Sequence, residues 1–234
     1  MRIGIVCPYS FDAHGGVQFH VRDLAEELIR RGHYVRVLAP GKAEGDPEWF
    51  DSVGGSFSVP FNGSVAMLSF SPRVGRAASK WLDEGDFDVV HIHEPGTPSV
   101  GLLTLLAAET PVVATFHSAM DRSDLRQATA GLLAPSFEKI AARVAVSDEA
   151  RRTLVEHHSG DAVIVPNGVF TEQFARAVPK PEWEATTARP VFVFLGRLDE
   201  PRKGLPVFAG AIEKVLAEVP GARFLVAGRG SADA

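Results

Sequence analysis

The stretch RIGIVCPYSFDAHGGVQFHVRDLAEELIRRGHYVRVLA, residues 2–39, decides the fold. Its short apolar run at 2–7 predicts a buried strand. Residues 17–31 have the apolar spacing of an amphipathic helix that ends at Gly32, and residues 34–39 predict a second strand. A strand, a crossing helix and another strand form the unit from which parallel sheets are built.

The chain repeats this alternation up to about residue 170. Runs rich in valine and isoleucine predict further strands at 87–93, 111–117, 143–147 and 162–167. Helix-like stretches separate several of these runs, at 73–84, 98–108 and 148–157. The segment 44–70 predicts turns and short strands. We therefore expect an α/β fold, with a Rossmann-like parallel sheet covered by helices on both faces.

A change in composition near residue 170 predicts the end of a first domain, residues 1–170. Residues 171–189 are polar, aperiodic and contain prolines, which is typical of a linker. Residues 190–234 predict a strand, a helix and a strand, the start of a second Rossmann-like domain. Because so few elements bury little surface, we expect this second domain to be incomplete.

The composition is that of a globular protein. Of its 234 residues, 45% are hydrophobic and 23% charged, and the net charge of −5 disfavours nucleic acid as a partner. No apolar run approaches the roughly 18 to 20 residues that span a bilayer, and the first residues do not predict a signal peptide. Cys7, the only cysteine, cannot form an intrachain disulfide, which fits a reducing cytoplasm.

Gly15 and Gly16 lie between the first predicted strand and its helix. In open parallel sheets ligands bind beside this loop. The free N–H groups and the positive dipole end of the helix suit a phosphate oxygen, and glycine lets that oxygen approach the backbone. A tight turn that needs positive φ is the alternative explanation. A dinucleotide-binding oxidoreductase does not fit, because G-x-G-x-x-G spacing is absent and the second strand ends in LAPGK without an acidic residue.

A second phosphate-binding candidate is GRLDEPRKG, residues 196–204. Arg197 directly follows a predicted strand, and Lys203 lies near the start of a predicted helix. Both side chains can then reach one anion at the carboxyl edge of the second sheet. Two fixed cations suit a diphosphate leaving group, whereas the alternative is a pair of ordinary solvated side chains.

The ordered motifs resemble the family 4 retaining glycosyltransferases of GT-B architecture over nearly the whole chain. They are the stretch from residue 2 to 28 followed by GDFDVVHIHEP, VVATFHS, VAVSDEARR, VPNGV and FLGRLDEPRKG. Within the family the chain most resembles the members that transfer mannose to phosphatidyl-myo-inositol. The resemblance implies two Rossmann-like domains, GDP-mannose as nucleotide-sugar donor, a phosphatidylinositol-type lipid acceptor and retention of anomeric configuration. It implies no cofactor and no metal.

The resemblance also implies roles for single residues. His117 lies beside the transferred sugar as the catalytic candidate. The donor diphosphate contacts Gly15, Gly16, Arg197 and Lys203. The acceptor contacts Tyr9, Gln18, Asn62 and Ser118.

This chain departs from the family pattern at three places. Met67 and Ser69 stand where the mannosyltransferases have arginines, which affects recognition of a phosphoinositol head group. Ser118 replaces an expected threonine. The E-x7-E motif, whose glutamates contact the donor, would lie beyond residue 234.

Two further clusters have competing explanations. His91 and His93 share one strand face beside Glu94, which suggests a metal site, but no third ligand is evident and we expect none. A basic stripe on one helix face, with a tryptophan adjacent, suits either an anionic membrane surface or ordinary solvent. These membrane-surface candidates are Arg73, Arg76, Lys80 and Trp81.

Two alternative functions stay open. The first is a related retaining glycosyltransferase with another nucleotide-sugar donor and a soluble acceptor, which Met67 and the thin basic stripe favour. The second is a non-catalytic chain that only binds an anion or a partner, because the second domain is incomplete and we expect this chain alone to be inactive. For the lipid-modifying function we expect a cytoplasmic protein, peripheral at the inner face of the plasma membrane.

Overall fold

The computed structural model describes residues 1–61, 64–118, 133–157, 160–178 and 180–230. The chain divides into two compact units. The first consists of Met1–Val59 and Ala66–Phe170, and the second of Pro60–Val65 and Thr171–Ala234.

The first unit is built on a seven-stranded sheet in which all paired neighbours are parallel. In chain order the strands up to residue 164 are β1 (Arg2–Val6), β2 (Tyr34–Ala39), β3 (Phe50–Ser52), β4 (Phe57–Phe61), β5 (Ser64–Leu68), β6 (Val89–His93), β7 (Val112–Phe116), β8 (Ile140–Ala145) and β9 (Val163–Ile164). The order across the sheet is β3-β2-β1-β6-β7-β8-β9, and β4 pairs with β5 in a separate two-stranded sheet. The predicted parallel sheet is confirmed, together with the short strands within 44–70.

Helices connect these strands at the positions that the sequence predicts, within two residues. They are α1 (Gly16–Arg30), α2 (Pro72–Gly85), α3 (Val100–Ala107) and α4 (Asp148–His157), and residues 133–137 are also helical. The side chain of Ser71 accepts a hydrogen bond from the Val74 N–H, and Ser147 caps α4 in the same way. Local capping therefore fixes where these helices begin.

The sheet buries an apolar layer on each face. Side chains of β1 alternate between the two layers: Ile3, Ile5 and Cys7 pack in one, while Val6 packs in the other. Helix α1 covers the first layer and helices α2 and α3 cover the second. Cys7 is fully buried and packs as a small apolar residue, as its position in the first predicted strand indicated.

The second unit contains a parallel pair of strands and a helix packed on them. Strand β10 (Val191–Leu195) pairs with β11 (Arg223–Ala227), and the chain between them forms α6 (Leu205–Glu218). Phe208 of α6 contacts the rings of Phe194 and Phe224 on the two strands. The segment predicted to be a linker contains a short helix, α5 (Thr171–Ala175), and a 3-10 turn, Pro181–Trp183.

Within the described residues, every helix is too short or too polar to cross a membrane.

Candidate functional site

The strand order of the first unit defines one edge of the sheet as the place for a ligand. Chain progression reverses direction between β1 and β6, and open α/β sheets bind ligands at the carboxyl ends of strands at such a point. Three loops leave the sheet there, starting after Val6, His93 and Phe116. They bring Tyr9, Glu94 and His117 to the same edge.

The amino end of α1 points into this region with its backbone uncovered. Gly15 is the cap residue in an extended conformation, with φ of −154°, and Gly16 opens the helix. The first intrahelical bond runs from Phe19 N to Gly15 O, so the N–H groups before it have no partner within the helix. A Cβ atom added to Gly16 would meet nothing within 4 Å, and its φ is not positive. The tight-turn explanation is therefore wrong for Gly16, and no contact of the described chain requires glycine there.

The loop before α1 is held by its own side chains. Gln18 Nε2 donates to the carbonyl oxygens of Ser10 and Ala13, both at 3.1 Å. Asp12 accepts a hydrogen bond from Ser10 Oγ at 3.1 Å and another from Lys42 N at 3.0 Å. The amide nitrogen of Gln18 is thus committed to the loop, which leaves its carbonyl oxygen, next to Gly15, for a ligand.

Four histidines lie together at this edge. His93 ends β6 fully buried, and its Nδ1 lies 2.8 Å from Nε2 of His117, the residue after β7. The His91 ring stacks on His93 with centroids 4.4 Å apart, and its Nε2 lies 2.7 Å from Thr115 Oγ1. His20 of α1 meets the rings of His93 and His117 edge-on, at 5.6 Å and 5.5 Å.

Burial keeps these imidazoles neutral at pH 7. It lowers the pKa of His91 to about 4 and that of His117 to about 3, and the neighbouring rings act in the same direction. The pKa of His93 is also well below its ordinary value, again mainly through burial. Burial lowers the pKa of His20, which Asp23 partly opposes. A neutral imidazole can donate one hydrogen bond and accept another, which suits a sugar hydroxyl.

Glu94 fixes the position of His117. Its Oε1 accepts hydrogen bonds from the backbone N–H groups of His117 and Ser118, each at 2.6 Å. The side chain is buried, and the residue has a left-handed backbone with φ of 49°, which is uncommon for a residue other than glycine. Burial first, and then the nearby charge of Glu94, raise the pKa of Tyr9 well above its usual range. The Tyr9 hydroxyl therefore stays protonated.

The two predicted cations of the second unit follow the carboxyl end of β10. Arg197 Nε lies 3.1 Å from Glu200 Oε1, and the buried Glu200 also pairs with Arg202 at 2.8 Å. Lys203 is exposed at the end of the 3-10 turn Pro201–Lys203, before Gly204, whose φ is +83°. Among the described residues it makes no ion pair. Arg197 is thus oriented by a carboxylate, whereas the Lys203 ammonium group is available to an anion.

Not every predicted site residue is placed as expected. Asn62 lies outside the described residues. Trp81, one of the membrane-surface candidates, lies in the core instead: only 9% of it is exposed, and its Nε1 donates to Asp51 Oδ2 at 2.8 Å. The other members of the basic stripe, on the opposite face of α2, are exposed: Arg73, Arg76 and Lys80.

The sequence analysis missed three members of this site. It considered His93 and Glu94 only as metal ligands and did not consider His20. The sequence could have identified His20 as a site residue. It follows Gly16 by four residues and therefore lies on the same face of α1.

The fold and the site together indicate the structural class of the protein. Seven parallel strands with an uncovered helix amino end at the switch point form a Rossmann-like domain of the kind from which the GT-B fold is built. Sucrose-phosphate synthase from Thermosynechococcus elongatus aligns with 99% of this chain and 63% of its own, with a TM-score of 0.62 at 16% identity. UDP-GlcNAc 2-epimerase from Methanocaldococcus jannaschii aligns with 99% and 67%, with a TM-score of 0.57 at 11% identity. The expected GT-B fold is confirmed, while identities this low say nothing of the substrate.

The chain belongs to glycosyltransferase family 4, whose model matches residues 14–173. It is 50% identical over 234 residues to a phosphatidyl-myo-inositol mannosyltransferase of Mycolicibacterium smegmatis, and 48% identical to one of Mycobacterium tuberculosis. A D-inositol 3-phosphate glycosyltransferase of Mycobacterium ulcerans is 28% identical over 250 residues, with 94% of this chain covered. The chain spans 60% and 61% of the length of the two mannosyltransferases. The predicted family is confirmed.

Proposed function

We propose that the protein is a retaining mannosyltransferase that transfers mannose from GDP-mannose to a phosphatidylinositol-type lipid. The identity of 48–50% along the whole chain to enzymes with this name supports the acceptor and the sugar. The observation in the structure that supports the proposal most strongly is the uncovered helix start at Gly16, beside the neutral His117.

The donor phosphate binds at the start of α1. Its oxygens accept hydrogen bonds from the free backbone N–H groups at Gly15 and Gly16, where the positive end of the helix dipole favours an anion. A side chain at Gly16 would project into open space and occupy the path of this phosphate. Taken by itself, the second unit presents Arg197 and Lys203 after β10, and two fixed cations of this kind suit a diphosphate and stabilise the charge that develops on a leaving group.

His117 binds the transferred sugar. Its ring is neutral at pH 7, its backbone is fixed by Glu94, and His93 holds its Nε2, so its remaining nitrogen can contact a sugar hydroxyl. Tyr9, protonated for the reason given above, donates to the acceptor, and Gln18 and Ser118 lie at the same edge. Asn62 is the fourth acceptor residue of the proposal.

The chemical step follows the retaining course of the family. The bond between the anomeric carbon and the diphosphate oxygen breaks, which gives GDP and an oxocarbenium-like sugar. The acceptor hydroxyl forms its bond to the same face and passes its proton to a leaving phosphate oxygen. No cofactor or metal takes part, and the chain's residues bind, orient and exclude water.

The lipid acceptor places the reaction at a membrane surface. Arg73, Arg76 and Lys80 form one exposed face of α2, and a basic face of this kind attracts anionic lipids. Lys80 lies 3.6 Å from Glu84, which weakens the positive field at one end of the stripe. We propose peripheral attachment at the inner face of the plasma membrane.

A soluble acceptor is the second candidate function. Met67 and Ser69 stand where the lipid-modifying enzymes are expected to have arginines, and both lie in or next to β5. Without those cations the head-group phosphate of a lipid has fewer partners. The alternative acceptor to test against phosphatidylinositol is therefore a soluble inositol phosphate.

One transfer assay distinguishes the lipid acceptor from the soluble acceptor. The native protein is captured from its own cells with an antibody raised against this chain and supplied with GDP-mannose labelled in its sugar. Phosphatidylinositol vesicles and soluble inositol phosphate are offered separately. Label in the lipid fraction supports the proposal, label only in the soluble fraction supports the second function, and label in neither contradicts both.

A further inference from the structure

We propose that His20, His93 and His117 form a binding site for one first-row divalent ion of the Zn²⁺ type, held by three imidazole nitrogens. The strands provide only two of the three ligands, His93 and His117. The third, His20, comes from helix α1. It differs from the pair His91 and His93 beside Glu94, where the sequence suggested a metal but no site was expected.

The spacing of the three rings matches an ion held between them. One ligand nitrogen from each residue lies within 4.8 Å of the other two. The ring centroids are 5.1 Å apart for His93 and His117, 5.6 Å for His20 and His93, and 5.5 Å for His20 and His117. Three imidazoles bound to one tetrahedral ion at about 2.0–2.1 Å have ring centres about 5.2 Å apart. The ring centres thus already have the spacing of a bound site, while the ligand nitrogens, now up to 4.8 Å apart, must turn toward the ion to reach the roughly 3.3 Å that tetrahedral binding requires.

Two buried ring nitrogens of the cluster have no hydrogen-bond partner among the described residues. They are Nε2 of His93, a residue with no exposed surface, and Nδ1 of His20. Buried polar atoms are rarely left unpaired in folded proteins. These two nitrogens therefore suggest that a ligand such as a metal ion binds at the cluster. No such pair of nitrogens is needed to bind a sugar at His117.

The chemistry of the cluster favours a borderline metal ion. Neutral imidazole is the form that binds metals, and each of the three rings can offer one ring nitrogen to an ion. His93 closes the site on the buried side, while His20 and His117 are only partly buried, so water can fill the fourth position.

The ion would inhibit transfer, and this consequence rests on the proposed function. A metal on His117 occupies the nitrogen or the space that the sugar needs, so Zn²⁺ and GDP-mannose exclude one another. By linkage, each weakens the binding of the other by the same factor.

The test measures metal binding directly, without any nucleotide sugar. The chain is freed of metals with a chelator and titrated with Co²⁺, which absorbs strongly in the visible range when it is tetrahedral, and with Zn²⁺ in a calorimeter. We expect one ion per chain and a tetrahedral cobalt spectrum that Zn²⁺ abolishes. His20→Ala should weaken binding at least about 10-fold, because a partly exposed ligand is lost without opening the core.

His33→Gln is the matched control, since this histidine lies outside the cluster, and it should bind Zn²⁺ like the unchanged chain. His117→Gln provides a second ligand deletion if His20→Ala fails to fold, as checked by circular dichroism. Absence of tetrahedral cobalt absorption, or equal affinities for all of these variants, would overturn the proposal. Because no donor is present, neither result bears on mannose transfer; competition by GDP-mannose is measured afterwards.

Discussion

Mild acid should destabilise the first unit through its buried histidines. An unfolded histidine has a pKa near 6.5, whereas in the folded protein the pKa is about 4 for His91, about 3 for His117 and also well below 6.5 for His93. The folded state therefore binds fewer protons than the unfolded state below pH 6.5. Stability is fully present above that pH and falls as the pH decreases toward the folded values.

The expected loss is large. His91 and His117 each cost about 1.4 kcal/mol per pH unit below 6.5, which gives about 2 kcal/mol each at pH 5. Together the loss is about 4 kcal/mol, a large part of the whole stability of many domains, and His93 acts in the same direction. The free energy of unfolding is measured by urea denaturation at pH 7, 6 and 5 with EDTA present.

A variant separates the histidines from other titrating groups. His91→Gln removes one of these titrating groups and should reduce the loss between pH 7 and 5 by about 2 kcal/mol, while His33→Gln serves as the control outside the cluster. Equal stability at pH 7 and 5, or a loss that His91→Gln leaves unchanged, would refute the reasoning from burial.

Three further predictions concern the cations and the core. Lys203→Ala should weaken binding of GDP about 10-fold or more and leave binding of guanosine unchanged, as calorimetry measures; equal losses contradict a role at the diphosphate. Reversing the charges of Arg73, Arg76 and Lys80 to glutamate should abolish sedimentation with phosphatidylinositol vesicles at low salt, and retained binding would exclude a membrane role for the stripe. Trp81→Phe should lower the free energy of unfolding by about 1–2 kcal/mol in urea without changing vesicle binding, whereas a change in binding alone would contradict its place in the core.

Local signals explain why the sequence predicted most of the fold. Runs rich in isoleucine and valine such as β1, and capping residues such as Ser71 and Ser147, act through neighbours along the chain, so these elements were predicted close to their observed positions. The spacing of apolar residues in α2 did not show which of its side chains would be buried in the core. Trp81 packs against Gly4, where an added Cβ would lie 2.7 Å from the ring, and this contact joins residues far apart in sequence.

The candidate site was predicted only in part for the same reason. His117 and Gly16 were found because strand ends and helix starts are visible in the sequence. The meeting of His20 with His93 depends on how α1 packs over the sheet. The left-handed backbone of Glu94 directs its carboxylate to the amides after β7. A glutamate in the sequence gives no indication of such a backbone conformation.

We propose that Gly16 is glycine because a donor phosphate approaches it. The decisive measurement is the affinity of Gly16→Ala for GDP-mannose by calorimetry, together with its free energy of unfolding. Because an added Cβ meets nothing within 4 Å, the variant should be as stable as the unchanged chain or more stable by up to about 1 kcal/mol, as alanine favours a helix. Donor binding should weaken at least about 10-fold with stability retained, since about 1.4 kcal/mol of lost contact corresponds to that factor. Unchanged donor affinity in a folded Gly16→Ala variant would contradict it.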